Sequence, residues 1–169
     1  MTLRFGILTI SDRSSRGERP DASGPALAEA IKAQDWDVVE MSIIPDQVDI
    51  VREKLRYWAD LGNFDVILTT GGTGFAPRDV TPEATRLVVE RLTPGLDEAM
   101  RSASLKVTPH AMLSRAISGI RRQTLIINLP GSPKGALENL QVVIPVLTHA
   151  IELLREDPRS EKGHLASNP

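Results

Sequence analysis

Short apolar segments, each followed by a polar or glycine-rich loop, constrain the fold of this chain more than any other feature. Residues 3–10 and 66–70 are nearly continuous apolar runs, which is typical of strands buried on both faces of a parallel sheet. The β-branched stretch 38–44 predicts a third strand between them. Because segments with helical periodicity separate these strands, the first part of the chain has the order β-α-β-α-β.

Local signals predict where the helices lie. Proline follows Gly24 at one helix start, where its missing N–H costs nothing, and apolar residues recur at helical spacing over residues 48–58. Thr81, ahead of a proline, is expected to cap a third helix. A last helix is expected over residues 133–154, with a kink at Pro145.

The second half of the chain completes the predicted sheet. Residues 124–129 form another strand-like run, and residues 116–120 can pair with it across a short turn. Alternating strands and helices predict an α/β fold with a mostly parallel sheet, which binds ligands at the carboxyl ends of its strands. A length of 169 residues suits one domain, which we assign to residues 1–156, followed by a polar C-terminal tail, 157–169.

Composition excludes several classes of function. The formal net charge of -2 gives no general attraction to nucleic acid or to an anionic membrane, so a phosphate-bearing partner needs a local site. The absence of cysteine excludes disulfides, thiolate metal sites and cysteine nucleophiles. Neither a signal peptide nor a membrane span is expected, which favours the cytoplasm. The histidines form no metal-ligand motif; they are His110, His149 and His164.

Three loops are predicted to converge at one edge of the sheet, because each follows a predicted strand. They comprise residues 11–24, 69–85 and 128–135. The second contains the run TTGGTG, in which glycines let the backbone approach a ligand while N–H groups and hydroxyls donate to phosphate oxygens. It lacks the lysine of a Walker loop. A plain turn between strand and helix explains the same residues, and both interpretations stay open.

Two aspartates from different loops are candidates for a magnesium site. Asp46 follows the second strand and Asp79 precedes a helix, and magnesium takes oxygen ligands while bridging nucleotide phosphates. Asp12, beside Ser11, has a similar position after the first strand. Each aspartate alone is equally explained as a turn or cap residue.

Four segments of the sequence resemble one known family. These segments are ILTISDRSSRG, TTGGTGFAPRDVTPEAT, TPHAMLSR and NLPGSPKG. They look like the molybdopterin adenylyltransferases, which comprise bacterial Mog proteins and the G domains of plant and animal molybdenum-cofactor proteins such as gephyrin. The resemblance covers residues 3–155, and the GGTG…RDVTPEAT block is specific to the superfamily rather than to one member.

The resemblance implies a single-domain three-layer sandwich that assembles as a homotrimer. It also implies transfer of AMP from ATP to molybdopterin with Mg²⁺, giving adenylyl-molybdopterin and pyrophosphate. The family's key acidic residues fall on Asp46 and Asp79, which would be catalytic and metal-binding. Positions that line the family's nucleotide and pterin pocket fall on Ser11, Asp12, Thr70, Gly71, Gly72, Thr73, Gly74, Ser104, Ser114, Asn128 and Gly131. No nucleic acid or membrane partner is expected, and a separate molybdenum insertase is a candidate partner.

One departure and two alternatives accompany this resemblance. Gln47 stands where the family usually has glutamate, which removes a charge near the expected metal. We expect no insertase activity, because 169 residues leave no room for the additional domains of those proteins. The alternatives are a MoaB-type molybdopterin-binding protein and a non-catalytic trimeric scaffold. The retained pair of Asp46 and Asp79 speaks against the scaffold.

Overall fold

One sheet of six strands runs through the computed structural model, which describes residues 1–158. In chain order the strands are β1 (Arg4–Ile10), β2 (Asp37–Ile44), β3 (Val66–Thr70), β4 (Arg91–Leu92), β5 (Ser118–Arg121) and β6 (Thr124–Leu129). Across the sheet the order is β2-β1-β3-β6-β5-β4. Strands β2, β1, β3 and β6 are parallel, whereas β5 and β4 form an antiparallel edge.

Helices cover both faces of this sheet. They are α1 (Asp12–Ser15), α2 (Ser23–Lys32), α3 (Val48–Leu61), α4 (Thr81–Arg86), α5 (Pro94–Leu105) and α6 (Pro133–Leu154), with a 3₁₀ helix at Pro109–Leu113. Helices α2, α5 and α6 pack in the core on one face, and α3 and α4 pack on the other. The predicted α/β class, with three layers and a mostly parallel sheet, is confirmed.

Alternation along β1 shows why its sequence is continuously apolar. Phe5 and Ile7 pack in the core beneath α2 and α6, whereas Leu8 and Ile10 pack in the core beneath α3 and α4. Successive side chains of a strand point to opposite faces, so a strand covered on both faces must be apolar throughout. The two cores hold the carboxyl ends of β1, β3 and β6 side by side, which fixes where the loops after these strands begin.

Helix α6 is a core helix with an unusual composition. Within residues 1–158 it is the one helix that is long and apolar enough to cross a membrane by length and composition, which the sequence did not lead us to expect. One face of α6 packs against the sheet in the hydrophobic core. Its fully or almost fully buried residues are Ala136, Leu140, Val143, Leu147 and Ile151. The helix continues past Pro145 to Leu154.

The structure differs from the sequence predictions at the start of α4 and contains elements that the sequence did not indicate. Thr81 is not the cap of α4: the helix begins at this residue, and its hydroxyl donates to the Gly71 carbonyl at 2.8 Å, which ties the helix to the glycine-rich loop. No sequence signal led us to expect α1, β4, α5 or the 3₁₀ helix. Most of the predicted tail, including His164, lies outside the described residues.

Candidate functional site

The three loops converge at the carboxyl ends of the parallel strands, as predicted. Together they line a cavity of about 720 Å³, here called the main cavity. Its lining residues are Thr9, Ile10, Ser11, Ser14, residues 19–23, Asp46, Thr70, Gly71, Gly72, Asp79 and residues 131–133. The topology explains this meeting, because β2, β1, β3 and β6 are neighbours that end at the same edge of the sheet.

A second cavity of about 270 Å³ adjoins the main one, and Ser132 lines both. It holds another set of predicted site residues, namely Thr73, Gly74, Ser104 and Ser114. His110 also lines it, with Nδ1 3.4 Å from the Thr108 hydroxyl. Within residues 1–158 no hydrogen bond joins His110 to Ser104 or Ser114, so the arrangement does not resemble an activated serine nucleophile.

The glycine-rich loop is packed too tightly to accept side chains. Gly71 and Gly72 have φ values of +103° and +66°, a region that L side chains rarely adopt. A Cβ at Gly71 would overlap the carbonyl oxygen of Ile10, and one at Gly72 would overlap the Thr81 hydroxyl and lie 3.1 Å from Asp46 Oδ1. The loop therefore lies directly against Asp46, and Gly71 and Gly72 line the main cavity without side chains.

Asp46 and Asp12 are joined through their backbones. The N–H of Asp12 donates to Asp46 Oδ2 at 2.7 Å, and the N–H of Asp46 donates to Asp12 Oδ1 at 3.0 Å. The Arg78 guanidinium donates to both oxygens of Asp12 at 2.9 Å. Partial burial alone would raise the pKa of Asp12. The hydrogen bonds from Arg78 and from the Asp46 backbone outweigh burial and lower the pKa of Asp12 below its ordinary value. Asp12 is thus committed to this pairing and is absent from the lining of the main cavity.

The electrostatic environment of Asp46 differs from that of Asp12. Burial raises the pKa of Asp46 above its ordinary value, and the nearby negative charges of Asp12 and Asp79 add to this effect. Such crowding of carboxylates is costly without a cation. It suits a divalent metal, which favours the ionised form of its ligands.

Asp79 faces the main cavity from the loop that precedes α4. Its Oδ2 accepts the N–H of Ala76 at 3.0 Å, and a Cβ added at Gly74 would lie 2.9 Å from that same oxygen. Within residues 1–158 no group of three or more His, Cys, Asp or Glu side chains is arranged to hold a metal. Two carboxylates still fit magnesium, which is commonly bound by one or two carboxylates together with substrate phosphates.

Arg115 is a residue of this site that sequence reasoning missed. Its guanidinium donates to the carbonyls of Gly74 and Asp79, both at 2.7 Å, and pairs with Glu83. Its N–H donates to the Thr73 carbonyl at 2.9 Å. One side chain therefore fixes both ends of the loop that carries Asp79. The residue lies inside the segment TPHAMLSR, but nothing in its spacing indicates contact with a loop over thirty residues earlier.

Asn128 was expected in the pocket lining and lies beneath it instead. The side chain is fully buried and lines neither cavity. Its amide donates to the hydroxyls of Thr69 and Thr85, both at 2.9 Å, and its oxygen accepts the Ile117 N–H at 3.3 Å. Asn128 joins β3, α4 and the segment before β5, so its observed contacts support the loops rather than reach a ligand. Gly131 does line the main cavity.

Comparison with known protein families finds one match over most of the chain. Residues 6–149 match a family described as "Probable molybdopterin binding domain". A curated relative, molybdopterin adenylyltransferase of Helicobacter pylori strain J99, is 42% identical over 155 residues, which cover 90% of this chain and 88% of the relative.

A second relative is much longer than this chain. Gephyrin of Dictyostelium discoideum is 47% identical over 165 residues, which cover 92% of this chain but only 23% of gephyrin. Among solved structures, the molybdopterin biosynthesis enzyme MoaB of Thermus thermophilus is 50% identical with a TM-score of 0.87, covering 93% of this chain and 99% of that one.

Proposed function

The chain belongs to the molybdopterin-binding domain family of molybdenum cofactor biosynthesis, and on that premise we propose that it is a molybdopterin adenylyltransferase. It transfers AMP from ATP to molybdopterin and releases pyrophosphate. Support comes from a relative that carries this name and matches the chain over most of both lengths. The proposal does not extend to the activity of whole gephyrin, because this chain spans only about a quarter of that protein.

One observation carries this proposal: Asp46 and Asp79 face a single cavity that Gly71 and Gly72, which have no side chains, also line. Backbone N–H groups in such a loop suit phosphate oxygens. The adjoining second cavity shares Ser132 with the main one, so two ligands can lie side by side. We assign the nucleotide to the main cavity and the pterin to the second.

Adenylyl transfer requires little acid or base chemistry from the protein. The terminal phosphate of molybdopterin is already an anionic nucleophile near neutral pH, so the main obstacle is repulsion between two anions. Nucleotidyl transfer is accelerated mostly by positioning and by neutralisation of charge. Asp46 and Asp79 would hold Mg²⁺, which when bound supplies that neutralisation. The glycine-rich loop orients the phosphates.

MoaB-type function is the second candidate, because a solved MoaB is 50% identical to this chain. The non-catalytic scaffold is the third. Asp46 and Asp79 favour catalysis over a scaffold, since a scaffold has no need of two carboxylates that line one ligand-sized cavity.

A homotrimer is expected from the family resemblance, and exposed apolar side chains on the edge strand β2, at Val39, Met41 and Ile43, suit contact with another copy. Light scattering at micromolar concentration that reports a monomer would contradict the trimer. We place the protein in the cytoplasm, where ATP is available, with a separate molybdenum insertase as the acceptor of its product.

The proposed function is tested by supplying the purified protein with Mg-ATP and molybdopterin under anaerobic conditions. Adenylyl-molybdopterin and pyrophosphate are expected in equal amounts, and neither is expected when magnesium is chelated. Binding of molybdopterin without consumption of ATP would favour the MoaB-type or scaffold alternatives.

A further inference from the structure

The main cavity has an uneven charge balance. Its lining includes three carboxylates, Asp21, Asp46 and Asp79, and one cationic side chain, Arg19. Because the carboxylates outnumber the cationic side chains, the net negative charge of this lining disfavours a bound phosphate. A substrate with several phosphate charges therefore needs every cation that the rim can provide, in addition to a metal.

Asp21 is not available for a ligand, because its hydrogen bonds are internal. Its Oδ2 accepts the Thr9 hydroxyl at 2.7 Å, and its Oδ1 accepts the Gly24 N–H at 3.0 Å and the Ser23 hydroxyl at 3.3 Å. These bonds fasten the segment before α2 to the end of β1. Arg19 lies two residues before this anchor and directly before Pro20, whose ring restricts the backbone. The backbone that carries Arg19 is therefore held beside the cavity.

Two other arginines near the rim already have partners. Arg78 is paired with Asp12 through two bonds of 2.9 Å, and Arg16 is paired with Glu18 at 2.7 and 3.0 Å. The guanidinium of Arg19 has no hydrogen bond or ion pair to any residue within 1–158. A planar guanidinium with free donors matches the geometry of a phosphate group.

We propose that Arg19 binds a phosphate of the nucleotide in the main cavity. The inference rests on the proposed function and adds a residue that sets affinity for the nucleotide. The nucleotide is the expected source of the phosphate because the main cavity contains both Asp46 and Asp79, whereas the second cavity contains neither. Arg19 acts on binding rather than on the reacting bond, since it is placed on the exposed rim.

The test compares the variants Arg19→Gln and Arg16→Gln by calorimetric titration with Mg-ATP and, separately, with molybdopterin. Arg19→Gln is expected to weaken Mg-ATP binding about tenfold, the loss that corresponds to one hydrogen bond to a charged group. Molybdopterin binding should be unchanged. Arg16→Gln, in the same loop but already paired with Glu18, should leave both affinities unchanged.

Turnover separates a binding role from a merely structural one. Arg19→Gln should raise KM for Mg-ATP by a similar factor and leave kcat within about twofold, as expected when an interaction is equal in the ground and transition states. Arg19→Lys should recover part of the affinity. If Arg19→Gln binds Mg-ATP as well as the wild type does, the proposal that Arg19 binds a nucleotide phosphate is wrong. It is also wrong if the substitution weakens only the binding of molybdopterin. If the wild type binds no nucleotide, the proposed function fails together with it.

Discussion

Asp12 and Asp46 each donate a backbone N–H to the carboxylate of the other, at 2.7 and 3.0 Å. This reciprocal pair links the loop after β1 to the loop after β2. It also fixes the orientation of Asp46, with Oδ1 facing the backbone of Gly72. Of the two carboxylates, Asp12 is neutralised by Arg78 and Asp46 is not, which leaves Asp46 as the one suited to a metal.

Asp46→Asn and Asp79→Asn should fold normally and lose about 10²-fold or more in adenylylation, a typical loss for one electrostatic stabiliser. Asparagine retains an oxygen that can accept from Asp12 or Ala76, but it removes a charge that binds the metal. Raised magnesium should recover part of the loss. Steady-state rates at several magnesium concentrations measure both effects.

Asp49→Asn provides the matched control for these variants. Asp49 lies three residues after Asp46, on the first turn of α3, with its side chain 81% exposed. Replacing the Asp49 carboxylate by an amide should leave the rate of adenylylation unchanged. Near-normal turnover in both Asp46→Asn and Asp79→Asn would contradict a catalytic role and would indicate that these aspartates are turn or cap residues.

Gly72→Ala should weaken Mg-ATP binding, because its Cβ crowds Thr81 and lies against Asp46. Gly62→Ala is the control, since Gly62 has a similar φ of +71° but nothing within 4 Å of the added Cβ. Both variants should lose about 1 kcal/mol of stability from the left-handed backbone, and Gly72→Ala should lose more because the added Cβ overlaps the Thr81 hydroxyl. Titration with Mg-ATP separates them: equal affinities would show that the loop tolerates a side chain.

Arg115→Lys should lower both stability and activity. Lysine cannot reach the carbonyls of Gly74 and Asp79 together with Glu83, so at least one carbonyl loses its partner at a cost of about 1–3 kcal/mol. The freed loop should misplace Asp79 and reduce turnover roughly tenfold or more. Arg101→Lys, which must preserve only one bond to the Ala116 carbonyl, should keep its stability; because Arg101 lines the second cavity, this variant is a control for stability alone. Urea denaturation and steady-state rates are the measurements.

Asp97→Asn should change stability in a pH-dependent way. Asp97 is 5% exposed and accepts the N–H and hydroxyl of Ser118, and burial raises its pKa above the ordinary value. The folded state therefore binds more protons than the unfolded state between the ordinary and raised pKa values, so this group's contribution to stability falls as pH rises through that window. Asparagine has no such dependence.

Urea denaturation of both proteins across that window provides the check. The stability of Asp97→Asn relative to the wild type should rise with pH and become constant above the raised pKa. A stability difference between the two proteins that does not vary with pH would contradict a raised pKa of Asp97 in the folded state.

Local sequence signals predicted those parts of the fold that buried strands dominate. Residues 66–70 and 124–129 were predicted with the bounds that the structure has, because strands covered on both faces must be continuously apolar. Strand β4 escaped prediction because it has two residues, both exposed, and exists only through pairing with β5. Helix α5 has just two buried positions, and one of them is the carboxylate of Asp97, so its buried face is not marked by a run of apolar residues.

The site could be predicted to the level of its loops but not of its contacts. Topology brings the loop ends together, so Asp46 and Asp79 could be expected at one edge. The division into two cavities could not, because it depends on the packing of α5 and the 3₁₀ helix. Asn128 was misplaced because an asparagine at a strand end looks the same in sequence whether it faces a ligand or supports the loops from below.

A single-turnover reaction with ATP labelled at the α-phosphorus tests the central claim most directly. The label should move from ATP to molybdopterin in the wild type, with unlabelled pyrophosphate released, and no label should remain on the protein, since within residues 1–158 no hydrogen bond joins His110 to Ser104 or Ser114. The same transfer should be at least about 10²-fold slower in Asp79→Asn. Label that stays in ATP while molybdopterin is bound, or that accumulates on a serine of the protein, would contradict direct adenylyl transfer at this site.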